Sequence, residues 1–173
     1  MEANRRVGAA GPKLIFPDGS VQCAGTLVSR SGSTDCYGVG DLPGEGDHGV
    51  ARVVDYLSGA CLLLRRHAFE EVGGFDPAYG LAYFTDADLG LSLRARGYRS
   101  VYEPSSGATH LHRPHSARVQ ALAQRNRALF ERRWRRVLAS RPLSPITASP
   151  RRTRAALEAP GRAALDEDAF ALS

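Results

Sequence analysis

No stretch of this chain is apolar enough to cross a membrane. The longest unbroken apolar run is Ala60 to Leu64, against the roughly 20 residues that a spanning helix needs. No charged segment followed by an apolar h-region opens the chain, so no targeting leader is expected. The three cysteines, Cys23, Cys36 and Cys61, form no CxxC pair. An odd number cannot all pair within the chain, which fits a reducing compartment and makes the cytoplasm the expected location. Internal repeats are absent, which argues against solenoids and propellers. Zinc-finger spacing, the aromatic signature of an RRM and a helix-turn-helix pattern are missing too, so no nucleic-acid partner is expected.

What is present is ordinary globular material. Hydrophobic residues make up 43% of the 173 and charged residues 24%, enough for one domain with a proper core. The charge, however, is segregated: residues 113 to 154 hold twelve arginines and a single acid, Glu131, leaving the remainder net acidic. An arginine-rich helix of this kind also suits contact with an anionic membrane surface.

The pattern places elements along the chain. Pro17-Asp18-Gly19 punctuates a hairpin between Leu14-Ile15-Phe16 and the Val21, Cys23 side. The Gly-, Asp- and Ser-rich stretch from Ser31 to Gly49 reads as a long surface loop. An extended apolar segment through Leu64 leads to a short helix from about Arg66 to Val72, stopped by Gly73-Gly74. A second helix runs from about Asp86 to Arg96, with Gly97 suited to the left-handed closing position, and "YRSVYEP" follows as a strand. In a third helix, from about Ala117 to Ala139, Leu122, Asn126, Phe130 and Trp134 recur every four residues as one packing stripe. Beyond Arg141 proline breaks and much alanine predict a flexible tail, residues 142 to 173.

Asp86 and Asp88 stand at the start of the second helix. Consecutive helical residues are about 100° apart, so the two carboxylates diverge. Two readings stay open on pattern alone. In one, Thr85 is an N-cap and Asp88 completes a capping box, with both acids complementing the helix dipole. In the other, the acids do chemistry beside a Gly hinge and several aromatics. His110, His112 and His115 read as surface histidines of a polar loop or as metal ligands; with no cysteine nearby, a four-ligand zinc site is not supplied.

The run "SGACLLLRRHAFEEVGGFDPAYGLAYFTDADLGLSLRARGYRSVYEP", residues 58 to 104, resembles the second half of the family 2 glycosyltransferases of the GT-A fold. It has the small-residue strand ending in Arg65, a short helix, Gly-Gly-Phe-Asp ending in Asp76, an aromatic loop, and Asp-x-Asp-Leu opening a helix that ends in Gly-Tyr. The likeness extends over about residues 7 to 138. One position departs: Thr85 stands where the family usually has Glu.

The resemblance implies an α/β fold, a partial, Rossmann-like GT-A domain with a mixed sheet and flanking helices over residues 1 to 141. It implies sugar transfer from a nucleotide-diphosphate-sugar donor to an acceptor hydroxyl, inverting, on a glycan or lipid-linked acceptor of the cell surface. Asp86 matches the catalytic base. Asp88, Tyr83, Phe84, Asp76 and Arg65 fall on the substrate-binding side, and His110, six residues after Pro104, on a divalent metal, Mg2+ or Mn2+. The family's nucleotide-binding half and its own metal motif have no counterpart before Val7. The expectation is therefore an acceptor-side half, inactive alone, with a separate chain supplying the missing half, or a non-catalytic remnant. Its place would be the cytoplasm or the inner membrane face.

Overall fold

The computed structural model describes residues 4–42, 46, 48–80, 82–111 and 117–143. The tail expected over residues 142 to 173 lies almost wholly outside them, as do His112 and His115. The main sheet is built on β1 (Val7–Ile15), which pairs on one side with β2 (Val21–Cys23) and β6 (Leu63–Leu64), both antiparallel, and on the other with β7 (Arg99–Thr109), parallel. The antiparallel β5 (Arg52–Val54) closes the far side of β7. A small second sheet pairs β3 (Thr26–Val28) with β4 (Thr34–Cys36). The arrangement is a mixed sheet with flanking helices, as the resemblance implied.

The hairpin at Pro17–Gly19 forms as its punctuation predicts, joining Leu14 to Cys23 and Ile15 to Val21. The Ser31–Gly49 stretch is not the plain loop its composition suggests. It contains β4, whose Cys36 pairs with Thr26, because a polar strand can be held by its partner when its own pattern is weak. The apolar segment through Leu64 is likewise broken: β5 ends at Val54 and only Leu63–Leu64 returns to the sheet.

The two prolines of the central pair collect at one irregularity. Between Pro12 and Lys13 the register slips, so that the partner on β7 jumps from Glu103 to Gly107. Proline has no N–H for a ladder and is tolerated at such bulges; Pro12 and Pro104 both sit at this one. Glu103 occupies the slack, accepting the backbone and hydroxyl hydrogens of Ser105 at 3.0 and 2.8 Å. Past the bulge β7 continues to Thr109, farther than "YRSVYEP" suggests, and the His110 N–H donates to Ile15 at 3.0 Å.

Among the described residues three α-helices flank the sheets: α1 (Arg66–Glu71), α2 (Thr85–Ala95) and α3 (Ala117–Ala139). Leu89 and Leu93 of α2 enter the core around Ala9, Val54, Leu57 and Tyr102. Gly97 closes the helix at φ +83°, a conformation that costs a side chain dearly. Gly90 serves a different need, since a Cβ there would lie 2.5 Å from the Asp55 carbonyl oxygen and 2.4 Å from the Tyr56 Cβ. The helix lies flat on that segment only because position 90 has no side chain.

The period-four stripe of α3 packs from Asn126 onward and runs one step further to Leu138, while Leu122 at its start is only half-buried and outside the cluster. Asn126 and Phe130 are wholly buried and Leu138 nearly so, with Trp134 packed against the same cluster. Burying each large apolar side chain contributes roughly 1.5–3 kcal/mol. The C-terminal end of α3 is tied down by Arg141, which reaches the buried Asp55 at 2.7 Å; Asp55 also accepts the Val28 N–H at 2.8 Å.

Candidate functional site

A cavity of about 980 Å³ opens where the ends of β1, β2 and β4 meet the loop before α2. Its walls combine aromatic faces (Phe16, Tyr56, Phe75, Tyr83, Phe84) with a few polar groups, among them Gln22, Ser58, Asp86 and His110. Apolar walls with sparse, convergent polar groups are the usual make-up of a small-molecule or sugar site.

The loop leading into α2 is bent by two consecutive left-handed residues, Tyr83 at φ +63° and Phe84 at φ +64°. Neither is glycine, and such a conformation costs about 1–3 kcal/mol for each residue. Phe84 recovers part of this by packing its ring on Phe130, 5.3 Å between centroids. The turn delivers Asp86 to the cavity. Its Oδ2 accepts the Gly59 N–H at 3.0 Å and its Oδ1 the Ala87 N–H at 3.0 Å. Burial pushes its carboxyl above the ordinary 3.8, while these backbone hydrogens pull the other way without cancelling the shift.

Asp88 faces elsewhere. It is 2% exposed, and one oxygen, Oδ1, receives the Tyr79 hydroxyl at 3.0 Å, the Trp134 Nε1–H at 2.7 Å and the Arg133 Nε at 3.1 Å. Burial raises its pKa, opposed by those three donors. The divergence expected from helix geometry is therefore present, but the capping box is not. The N-cap position is Phe84, without a side-chain cap, and Thr85 is already helical. Asp88 cannot reach back because α3 holds it.

Of the residues singled out from sequence, the structure brings Asp86, Tyr83, Phe84 and His110 to the cavity wall. The other three are placed away from it. Asp88 is turned into the α2–α3 interface. Asp76 caps the 3₁₀ turn Pro77–Tyr79, accepting the Ala78 N–H at 2.8 Å, and pairs with Arg133. Arg65 donates from Nε to the Val7 carbonyl and from Nη2 to the Asn4 carbonyl, both at 3.1 Å, and so fastens β1 to the start of α1. Sequence reasoning placed them by motif position, which fixes where a backbone goes but not which neighbour claims the side chain.

Other wall groups were not singled out. Gly59, inside the family-like run, and Tyr56, just before it, meet Asp86 from 27 and 30 positions earlier, a meeting that only the folded chain reveals. Cys23 and Cys36 share the Thr26 hydroxyl at 3.3 and 3.5 Å. Both thiols are free, and a hydrogen bond between them lowers the Cys36 pKa and raises that of the more buried Cys23.

His110 meets the Gln22 Oε1 through Nδ1 at 2.8 Å. Among the described residues no three His, Cys, Asp or Glu side chains are gathered as a metal site requires. His110 would supply one ligand, and the described residues do not complete the set. No helix among the described residues is long and apolar enough to cross a membrane.

Residues 47–131 match the family model described as "Glycosyltransferase like family 2". Over 128 residues the chain is 40% identical to an N-acetylglucosaminyl-diphospho-decaprenol L-rhamnosyltransferase of Mycobacterium tuberculosis, covering 64% of this chain and 39% of that one. It is 36% identical over 123 residues to the O-antigen biosynthesis protein RfbC of Myxococcus xanthus, covering 68% of this chain and 10% of that one. Among solved structures, GalNAc-T7 with UDP, GalNAc and Mn2+ superimposes with a TM-score of 0.51 at 15% identity, over 88% of this chain and 33% of the other. The chain thus spans two fifths or less of the length of each.

Proposed function

The chain belongs to glycosyltransferase-like family 2 and has the GT-A type of fold, and on that premise we propose that its cavity is the acceptor side of a sugar transfer in which Asp86 is the general base. The observation that carries the reading is the carboxylate itself: held by two backbone N–H groups at the cavity wall, with burial raising its pKa above the ordinary 3.8. A base works best when its pKa lies near the operating pH and its geometry is fixed.

In this reaction the acceptor oxygen forms its bond to the anomeric carbon of the donor sugar as the bond to the departing nucleotide diphosphate breaks. The acceptor proton passes to Asp86. One in-line displacement inverts the anomeric centre. Tyr83, Phe84 and Phe75 offer ring faces to the acceptor sugar, and the carboxylate orients its hydroxyl. A divalent ion, when present, supplies charge neutralisation at the diphosphate. His110 is the described residue that would contribute to holding it.

The relatives support one acceptor class. The rhamnosyltransferase is named for a sugar linked through a diphosphate to decaprenol, and a polyprenyl-diphosphate-linked sugar is accordingly the acceptor proposed for this chain, with an L-rhamnosyl nucleotide as the first donor to try. Work on such a lipid belongs at the cytoplasmic face of a membrane, and the three free cysteines suit that compartment. The test pairs transfer with binding. The purified chain is titrated with a lipid-linked N-acetylglucosaminyl diphosphate, then assayed for donor-dependent transfer with and without Mn2+. Saturable acceptor binding and transfer, with transfer lost in Asp86→Asn, supports the reading. Binding without transfer supports an acceptor-binding module instead, and no binding removes the cavity from consideration.

A further inference from the structure

From its contacts we infer that Asn126, on α3, is a positioning residue for Asp86, clamping the left-handed Tyr83–Phe84 backbone so that α2 starts where its first carboxylate meets the Gly59 amide. This rests on the assignment of Asp86 as the base.

Asn126 is wholly buried. Its Nδ2 lies 2.7 Å from the Tyr79 carbonyl oxygen, 2.7 Å from that of Ala82 and 3.1 Å from that of Tyr83. A carboxamide nitrogen carries two hydrogens, so one of the three bonds is shared. The opposite end of the amide is fixed as well, since Oδ1 accepts from Arg125 Nη1 at 3.1 Å, and Arg125 also reaches the Ala78 carbonyl at 3.1 Å. The amide therefore has one orientation, nitrogen toward the loop.

Those carbonyls belong to the segment that immediately precedes α2. Helix starts are usually fixed by a side-chain cap at the N-cap position, and here that position is Phe84, which has none. The constraint comes instead from the neighbouring helix. The path is short: Asn126 holds the carbonyls through Tyr83, Tyr83 and Phe84 take the left-handed turn, Phe84 accepts the Asp88 N–H at 2.9 Å, and Asp86 lies between them. Few residue types can replace it. Leucine has similar bulk and no donor, aspartate sets a carboxylate against three carbonyls, and serine has one donor on a shorter stem. Each would let the strained turn relax and the first turn of α2 move. A displacement of about 1 Å at a reacting group costs up to about 10²-fold in rate.

The decisive measurement is the titration of the Asp86 carboxyl by 13C NMR in the full chain, because it needs no turnover. Among the described residues Cys36 and Tyr56 feel the Asp86 charge, and Cys23, Tyr83 and His110 share its cavity wall; none of them is altered. In Asn126→Leu the Asp86 midpoint is expected to fall toward 3.8 as the carboxylate moves into water, and kcat to fall about 10–100-fold with the donor KM changed less than about twofold. Asn126→Ser, smaller and open to water, should give a smaller shift in the same direction if the leucine variant does not fold. Leu138→Ala, in the last turn of the same helix, should lower the thermal midpoint while leaving the Asp86 titration in place. An unmoved Asp86 midpoint in a folded Asn126 variant overturns the inference, as does an equal shift in Leu138→Ala. Retained turnover in Asp86→Asn would refute the base assignment alone, and the titration would still decide what Asn126 does.

Discussion

Asp86 and Asp88 are two positions apart in one helical turn, yet they live in different chemistries. Asp86 is held by backbone amides and faces open volume; Asp88 is held by three side chains and faces none. Backbone donors fix a carboxylate without neutralising it, so its charge remains available to a ligand. An arginine, an indole and a phenol converging on one oxygen consume that availability in holding α2, α3 and the Pro77–Tyr79 turn together. Similar sequence context therefore separates into a working carboxylate and a structural one, and the partner set is what separates them.

The sharpest way to break this contrast is to neutralise each acid in turn. Asp86→Asn is expected to lower transfer about 10²–10⁴-fold, read as kcat/KM, with no loss of thermal stability at neutral pH. Asp88→Ala should do the reverse. Leaving the buried Tyr79 and half-buried Trp134 donors unmatched costs about 1–3 kcal/mol for each, measured by urea unfolding, while turnover well below the unfolding midpoint falls far less than in Asp86→Asn. Matching phenotypes would dissolve the distinction.

The pH dependence sharpens it further. Burial raises the folded pKa of Asp86 above 3.8, so the folded state binds the proton more tightly and this group costs stability as pH rises from 3.8 through the folded value. The stability of Asp86→Asn relative to the parent should grow over that window and vanish below it. Asp76 has the opposite sign: the Ala78 N–H first, then Arg133, lower its pKa. Its contribution is present above 3.8 and is lost as pH falls through the folded value. Chemical denaturation across acid to neutral pH, with each variant against the parent, reads both slopes.

Smaller effects test the structural side. Trp134→Phe keeps an aromatic side chain, though a smaller one, and removes the Nε1–H bond to Asp88, for a loss of at least about 1.5 kcal/mol, again by urea unfolding. Arg127→Ala removes an exposed pair with Glu131, four residues on at 2.7 Å, and should cost only about 0.2–0.5 kcal/mol. A larger loss there would mean that α3 is held by its surface charges rather than by its buried stripe.

Much of the scaffold is legible in the sequence, and for identifiable reasons. The hairpin carries its own turn chemistry, α3 its four-residue period, and α2 its terminal glycine, all of them local signals. The mixed sheet is legible only through the family pattern, because the pairing of β1 with β7 joins residues some ninety positions apart. β4 escapes because Thr34–Cys36 has no strand pattern without Thr26–Val28 beside it. At the site, Asp86 is legible by motif. The fate of Asp88 is not, since Trp134 and Arg133 approach it from 45 and more positions away, and a capping box is the better local answer until they arrive. The left-handed Tyr83–Phe84 turn has no local signal either, because neither residue favours that conformation.

The missing side chain at position 90 has a mechanical consequence. With the middle of α2 seated directly on the Asp55–Tyr56 backbone, the helix can pivot about that contact but has little room to slide along it. A tilt that lifts the Asp86 end must depress the Gly97 end, against β7 and the Tyr98 ring. Whatever happens at the cavity is then felt at the sheet on the far side of the fulcrum, and a ligand seated on Asp86 would stiffen both ends at once.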